Sequence, residues 1–252
     1  MTLQENRHYL LLVWLVITGL ITFGVVVAWN EGLITHLVNA DRSRICLVIA
    51  LLYVVGTLHC GNRIFFISSE LNHACDVADS IAAASRNSAI RVTDGRLNFA
   101  RTGPLPTCVM TEHLIDLVDV THEHRHSDTG SENSSLVEVL AERLKGTHEF
   151  GWFIVDILLK LGLIGTIVGF ILMLGSVANS ATLDVNTMQK ILRQMSSGMG
   201  TALFTTLAGL IGSILLGMQY LLLDKGADDL LQRVIRVAEI EIKPKLAIGR
   251  AD

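Results

Sequence analysis

The chain has 252 residues, of which half are apolar and only 17% are charged, and its mean hydropathy is +0.49. These values are typical of a membrane protein rather than of a soluble domain. A formal net charge of −4 with no basic block argues against a nucleic-acid partner. Four scattered cysteines argue against a disulfide framework.

Four apolar runs are long enough to cross a hydrocarbon core of about 30 Å at about 1.5 Å per residue. The first is Tyr9 to Ala28. A secretory signal peptide is the alternative for this run, but the apolar part of a signal is usually only about 7 to 15 residues. The other runs cover about 45–67, 152–178 and 198–223. The sequence therefore predicts an all-α polytopic membrane protein with four transmembrane helices, arranged as hairpins over 1–67 and 152–223.

The connecting segments differ greatly in length. Short loops are expected over 30–44 and 179–197, whereas the polar segment 68–151 and the tail 224–252 are longer. Lys and Arg near the span ends are more numerous on the side that holds these longer segments: Arg7, Arg63, Arg143, Lys145, Lys225, Arg233 and Arg236 against Arg42, Arg44, Lys190 and Arg193. Because positive charge favours the cytoplasmic side, both termini and residues 68–151 are expected in the cytoplasm.

The cytoplasmic insertion 68–151 is predicted to be helical, because apolar residues recur in it at spacings of three and four. Breaks are expected at 93–107, which contains glycines and prolines, and at the polar run 121–133. Ser135 and Glu138 form a capping-box pattern that predicts a helix start, and this helix is expected to continue into the third span. The fourth span is expected to continue as an amphipathic tail helix as far as Pro244.

Charge is nearly absent from the spans. Asp156 and Lys160 lie four residues apart near the start of the third span, where they either form the cytoplasmic mouth of a pathway or only neutralise each other. No carboxylate lies at mid-membrane, although a chain that passes protons or cations normally needs one. If this chain conducts, another chain must supply that carboxylate.

The last two spans are instead rich in glycine and threonine. Thr166 lies in the third span, and Thr205 and Thr206 lie in the fourth. The glycines spaced for close helix packing are Gly162, Gly165, Gly169, Gly198, Gly209 and Gly212. One interpretation is a tight contact within one subunit, with each threonine hydroxyl bonded to the carbonyl four residues earlier.

The segments GLIGTIVGF (162–170) and ALFTTLAGL (202–210) resemble the paired signatures of the MotA/TolQ/ExbB proton-channel family. The resemblance implies a homopentameric ring around two copies of a MotB/TolR/ExbD-like protein, which has one span and contributes a membrane aspartate. It further implies that Thr166 and Thr206 face the pore near that aspartate, that Thr205 lies beside them, and that the glycines pack around the partner. No metal or cofactor is expected beyond the transported H+ or Na+.

This resemblance implies a subunit of an ion-driven motor in the bacterial inner membrane rather than an enzyme. Four spans are similar to the topology of flagellar stator subunits, whereas the helix signature is similar to TolQ and ExbB. The coupling ion and the driven system, whether flagellar rotation, import, envelope maintenance or phage defence, therefore stay open.

Two other functions are compatible with the sequence. One is a membrane scaffold whose cytoplasmic helices recruit a soluble partner without conducting ions. The other is a metal-dependent enzyme that uses the alternating His122, His124 and His126. The solvated, charged surroundings of these histidines favour a polar loop instead. His59, in the second span, is expected to be a hydrogen-bonded anchor rather than a gating group.

Overall fold

The structure is a computed structural model that describes residues 9–41, 43–83, 90–93, 96–99, 103–104, 108–123, 130–178 and 185–242. The helices are α1 (Tyr9–Asn30), α2 (Leu33–Ala40), α3 (Ile45–Ala83), α4 (Val109–Glu123), α5 (Gly130–Ala178) and α6 (Val185–Val237). A short π-helical segment, Ala238–Ile242, follows α6, and the strands are β1 (Ile90–Thr93), β2 (Arg96–Phe99) and β3 (Gly103–Pro104).

Four helical segments are long and apolar enough to cross a membrane: Tyr9–Asn30, Ile45–Ile81, His148–Gly175 and Val185–Ile240. The sequence-based fold class, an all-α protein with four transmembrane helices, is confirmed. None of the residues of the first segment is buried in the chain, as expected for a helix whose apolar surface faces lipid or another subunit.

Two predicted loops are partly helical. Residues 33–40 of the first loop form α2, which follows a turn at Gly32 with a φ of 71°, in the left-handed region that glycine tolerates. The prediction of a loop over 179–197 is wrong for residues 185–197, because α6 already begins at Val185. Neither glycine nor proline interrupts residues 185–197, so the helix of the fourth span extends through them.

A carboxylate stabilises the entry into α3. Asp41 accepts hydrogen bonds from the Ser43 amide at 3.0 Å and hydroxyl at 2.6 Å, and from the Cys46 amide at 2.7 Å. Burial alone would raise the pKa of the Asp41 carboxyl, but these hydrogen bonds outweigh it and hold the pKa below its ordinary value. They also fix the left-handed Arg44, whose φ is 58°. This side chain therefore makes an otherwise unfavourable turn possible.

The insertion between the second and third spans is not purely helical. A three-stranded antiparallel sheet in the order β1-β2-β3 occupies part of the region where a break was expected. Ile90 pairs with Phe99 and Thr93 pairs with Arg96. The helix start predicted at Ser135 is also wrong, because α5 begins at Gly130. The continuation of this helix into the third span is confirmed by its end at Ala178.

The chain divides into two compact units, and α1, α3, α5 and α6 each contribute residues to both. One unit comprises Met1–Leu12, Arg63–Thr147 and Leu222–Asp252. In this unit the Glu70 carboxylate accepts a hydrogen bond from the Val109 amide at 2.9 Å and so caps α4. Ion pairs join Arg143 to Glu112 at 2.8 Å and Lys145 to Asp228 at 2.6 Å. They tie α5 to α4 and to α6.

The other unit comprises Val13–Asn62 and His148–Leu221. It contains every residue that the sequence singles out for the candidate site. Its buried apolar side chains include Ile49, Ile154, Leu158 and Leu216.

A buried histidine makes the stability of the first unit depend on pH. His113 on α4 is 4% exposed, and burial lowers the pKa of its imidazole, an effect that the Asp116 carboxylate partly offsets. Because unfolding lets this imidazole take up a proton more readily, stability should fall as pH drops below the unfolded value of about 6.5. His113→Leu should therefore reduce the loss of thermal stability between about pH 7.5 and about pH 5.5, measured on the purified protein in detergent.

The matched control is His73→Leu, since His73 lies on the exposed surface of α3. An unchanged pH dependence in His113→Leu would contradict this role.

Candidate functional site

The backbones of α5 and α6 approach each other at glycine. A Cβ added to Gly209 would lie 2.7 Å from the Gly162 Cα atom and 2.8 Å from the Leu158 carbonyl oxygen. A Cβ added to Gly169 would lie 2.6 Å from the Ala202 amide nitrogen and 2.7 Å from the Gly198 carbonyl oxygen. Real side chains do not tolerate these separations, so the helix contact requires glycine at both ends.

The glycines that the resemblance places around a partner lie close to other residues of their own chain. Gly162, Gly165, Gly169, Gly198 and Gly209 all belong to the contact between α5 and α6. Gly212 has more room, because a Cβ there would lie 3.8 Å from Ile49 Cγ2, an ordinary contact. Tight packing within one subunit is present in this structure, and packing around a partner stays a prediction.

This close contact brings two hydroxyl groups together. Thr166 Oγ1 on α5 and Thr206 Oγ1 on α6 are hydrogen-bonded to each other. Both also lie near the Gly162 carbonyl oxygen, at 3.3 Å and 3.2 Å, and Thr206 Oγ1 is 3.0 Å from the Ala202 carbonyl oxygen. The two carbonyl oxygens already accept hydrogen bonds within the chain, whereas each hydroxyl oxygen has two lone pairs, so the pair can still accept from a further donor or bind a cation.

The pair is accessible from outside the chain. Thr166 is exposed and Thr206 is half-buried, and apolar side chains surround them. Leu163 and Ile167 on α5 are 55% and 61% exposed, and Leu203 and Leu207 on α6 are 67% and 49% exposed. The two hydroxyls thus form a small polar spot on an apolar membrane surface.

Thr205 does not share this surface. Its side chain is fully buried, and it packs directly on Gly165. Its hydroxyl donates to backbone carbonyls of its own helix, at 2.9 Å from the Thr201 oxygen and 3.1 Å from the Ala202 oxygen. Thr205 is adjacent to Thr206 in the sequence but does not lie beside it on the accessible face. The side chains of consecutive helical residues point about 100° apart.

Asp156 and Lys160 form an ion pair within α5. Their side chains are 50% and 66% exposed, so solvent or headgroups screen the pair and its contribution to stability is small. Of the two alternatives for this pair, mutual neutralisation is present in the structure. A role at the mouth of a pathway stays a prediction.

The sequence reasoning did not include a buried amide in the fourth span. Gln219 is completely buried and accepts a hydrogen bond from Trp14 Nε1 at 3.2 Å. Its Nε2 donates to the Tyr53 hydroxyl at 3.3 Å and lies 3.5 Å from Thr57 Oγ1. Gln219 thus joins α6 to α1 and α3. The sequence could have indicated this residue, because a single amide side chain within an apolar run needs hydrogen-bond partners in a membrane.

His59 is hydrogen-bonded, as expected of an anchor. Its Nδ1 lies 2.8 Å from the Tyr220 hydroxyl, and its ring makes an edge contact with Phe150 at 5.6 Å. The Tyr220 hydroxyl also donates to the Gly56 carbonyl oxygen at 3.3 Å. These contacts account for a histidine in an apolar span without a gating role.

The triple-histidine motif is only partly described. His122 lies in the last turn of α4, which ends at Glu123, whereas His124 and His126 lie outside the described residues. Within the ranges that the structure describes, no group of three or more His, Cys, Asp or Glu is placed to hold a metal ion.

Residues 118–235 match the family model of the MotA/TolQ/ExbB proton channel family. This part of the chain, a little under half of its length, is similar to that family. The matched range covers all of α5 and nearly all of α6, including the glycine contact and the Thr166–Thr206 pair. It supports membrane channel activity for these helices in general. No curated protein and no solved structure matches the chain.

The glycine contact can be tested with one added methyl group. Gly169→Ala should lower the free energy of unfolding by about 1 to 3 kcal/mol, because the new Cβ overlaps α6 backbone atoms. Thermal unfolding of the purified protein in detergent measures this.

Gly200→Ala is the matched control on α6, because nothing lies within 4 Å of a Cβ there. It should be neutral or stabilising by up to about 1 kcal/mol, since alanine favours a helix over glycine. Equal losses in the two variants would show that helix propensity, rather than the contact, determines the effect.

Proposed function

We propose that this chain is a ring subunit of an ion-driven membrane motor that surrounds a single-span partner and converts the flow of protons or sodium ions into mechanical work. The observation that carries this proposal is the Thr166–Thr206 hydroxyl pair, held on an accessible surface of a hairpin that matches a proton channel family.

The absence of charge around this pair explains the need for a partner. The sequence has no charged residue between Gly162 and Gly175 or between Gly198 and Leu223. The two hydroxyl oxygens can accept hydrogen bonds from a protonated carboxyl group or from water, but they cannot themselves bind and release a proton near neutral pH. A partner aspartate opposite Thr166 would supply the group that titrates.

The cluster suits transient binding. Its oxygens carry no formal charge, so they would stabilise a protonated carboxyl or a partly dehydrated cation without trapping it. The rigid glycine contact would hold the oxygens in place while the partner helix moves past them. Each protonation or ion-binding event would then favour one orientation of the ring relative to its partner.

Thr205 and the glycines take a supporting role in this proposal. They determine the distance between α5 and α6, and therefore the position of the two surface hydroxyls. Asp156 and Lys160 are proposed to lie at the cytoplasmic mouth, in an inner-membrane topology with both termini cytoplasmic. The polytopic apolar helices and the family match support the membrane location.

The decisive variant removes both surface hydroxyls and keeps their shape. Thr166→Val with Thr206→Val should reduce ion flux by about tenfold or more when the chain is co-expressed with its single-span partner. Flux is measured in vesicles with an imposed ion gradient and is normalised to assembled complex.

Thr205→Val is the matched control, because it removes a hydroxyl that is buried and bonded to its own helix. It should affect stability more than flux per complex. Wild-type flux from the double variant would favour the scaffold alternative, in which these helices only pack.

A further inference from the structure

A polar groove lies on the first turns of α6, just before the fourth span. Its volume is about 250 Å³. Its lining consists of two cations and four uncharged hydrogen-bonding side chains: Lys190, Arg193, Asn186, Gln189, Gln194 and Ser197. No carboxylate is among the lining residues that the structure describes. The groove therefore combines positive charge with N–H and O–H donors, which is the chemistry that binds an anion.

The two cations of the groove are not neutralised by the described part of the chain. Lys190 and Arg193 are exposed and lie three residues apart, so they are neighbours on one face of the helix. Neither makes an ion pair with another described residue, whereas Lys160 on α5 is paired with Asp156. Like charges at this spacing repel each other. An anion bound between them would remove this repulsion.

The groove begins where the fourth span meets the headgroup region. Ser197, at one end of the groove, directly precedes the uncharged run 198–223. Arg193 lies about 6 Å further along the helix axis, at about 1.5 Å per residue. The headgroup region is about 5 to 7 Å thick on each side of the hydrocarbon core. Arg193 therefore lies near the level of the lipid phosphates.

The groove faces away from the side of α6 that is proposed to meet the single-span partner. Successive helical residues rotate by about 100°, which places Lys190 about 160° and Arg193 about 140° from Thr206 around the axis. Lys190 is instead within about 20° of Thr201. The Thr201 hydroxyl donates to the Ala40 carbonyl oxygen at 2.7 Å, so this face of α6 contacts the end of α2. A partner helix that approaches Thr206 would not cover the groove.

We propose that this groove binds the phosphate of an anionic lipid headgroup in the leaflet opposite the tail. Arg193 donates two parallel N–H bonds to the phosphate, and Lys190 contributes a compact positive charge. The amides and the Ser197 hydroxyl bind the remaining headgroup oxygens. This site requires the fourth span but neither the ring nor ion flow, so its failure would leave the proposed function standing.

Lipid-dependent stabilisation of the full-length protein tests this site. The temperature of thermal unfolding is measured in detergent micelles that contain increasing amounts of dioleoyl phosphatidylglycerol or dioleoyl phosphatidylcholine. The wild type should be stabilised at lower concentrations of phosphatidylglycerol, because a ligand that binds only the folded state stabilises it and two cations favour a net negative headgroup.

The decisive variant removes both charges of the groove. Lys190→Gln with Arg193→Gln should need at least about tenfold more phosphatidylglycerol for half of the wild-type stabilisation. Lys190→Arg with Arg193→Lys keeps the charge and should retain most of the lipid preference. An unchanged lipid dependence in the glutamine variant would overturn the proposal and would leave these cations to another anion, such as a carboxylate of a neighbouring copy.

The matched control removes the same charge at the tail end of the same helix. Lys225 and Arg236 are also exposed on α6, and Lys225→Gln with Arg236→Gln should keep the phosphatidylglycerol dependence of the wild type. An equal loss in this control would show that overall charge, rather than the groove, determines the lipid preference.

The source of the phosphate is tested with the free ion. Inorganic phosphate at the same phosphate concentration should not stabilise the wild type, because it is not concentrated at the membrane surface. Equal stabilisation by the free ion would show a site for a soluble anion and would contradict the lipid assignment. Equal stabilisation by the two lipids would contradict it as well.

Discussion

The contact between α5 and α6 determines the geometry of the site. Gly162 packs against Gly209, Gly169 against Gly198 and Ala202, and Gly165 against Thr205, and an added Cβ at most of these positions would overlap backbone. Each glycine costs about 1 kcal/mol of helix propensity relative to alanine, so the packing must offset several such costs. The result is an interhelical distance at which the hydroxyls of Thr166 and Thr206 hydrogen-bond directly.

This contact separates two functions that the sequence presents together. Thr205 and Thr206 are adjacent, yet Thr205 is buried and serves packing whereas Thr206 reaches the surface cluster with Thr166. The polar groups that hold the first hairpin lie elsewhere, at Gln219 with Trp14 and Tyr53. The side chains that hold the first hairpin are therefore different from those that form the candidate site.

The parts of the fold that depend on hydrophobicity were predictable from the sequence. Uninterrupted apolar runs placed the four spans, and apolar residues at helical spacing in the insertion predicted helices such as α4, on which Leu114 and Leu117 are buried. The paired Gly and Thr signatures indicated both the family and the helices that form the candidate site. These signals are strong because a membrane leaves few alternatives to a helix.

The features that the sequence did not predict depend on contacts between residues distant in sequence, or on signals for a helix start that compete with one another. The strand pairing of Ile90 with Phe99 has no long alternating pattern, and the pattern at Ser135 resembles a cap although the helix already begins at Gly130. Glycine spacing alone cannot show whether a groove is filled by the same chain or by a partner. The partners of Gln219 likewise lie on helices that are far away in sequence.

The most direct test of the account is a structure of the complex purified after co-expression with a single-span partner. Five copies should surround two partner helices, with a partner carboxylate within hydrogen-bonding distance of Thr166 Oγ1 in at least one subunit. A complex without a central helix, or a partner carboxylate that faces neither Thr166 nor Thr206, would contradict it.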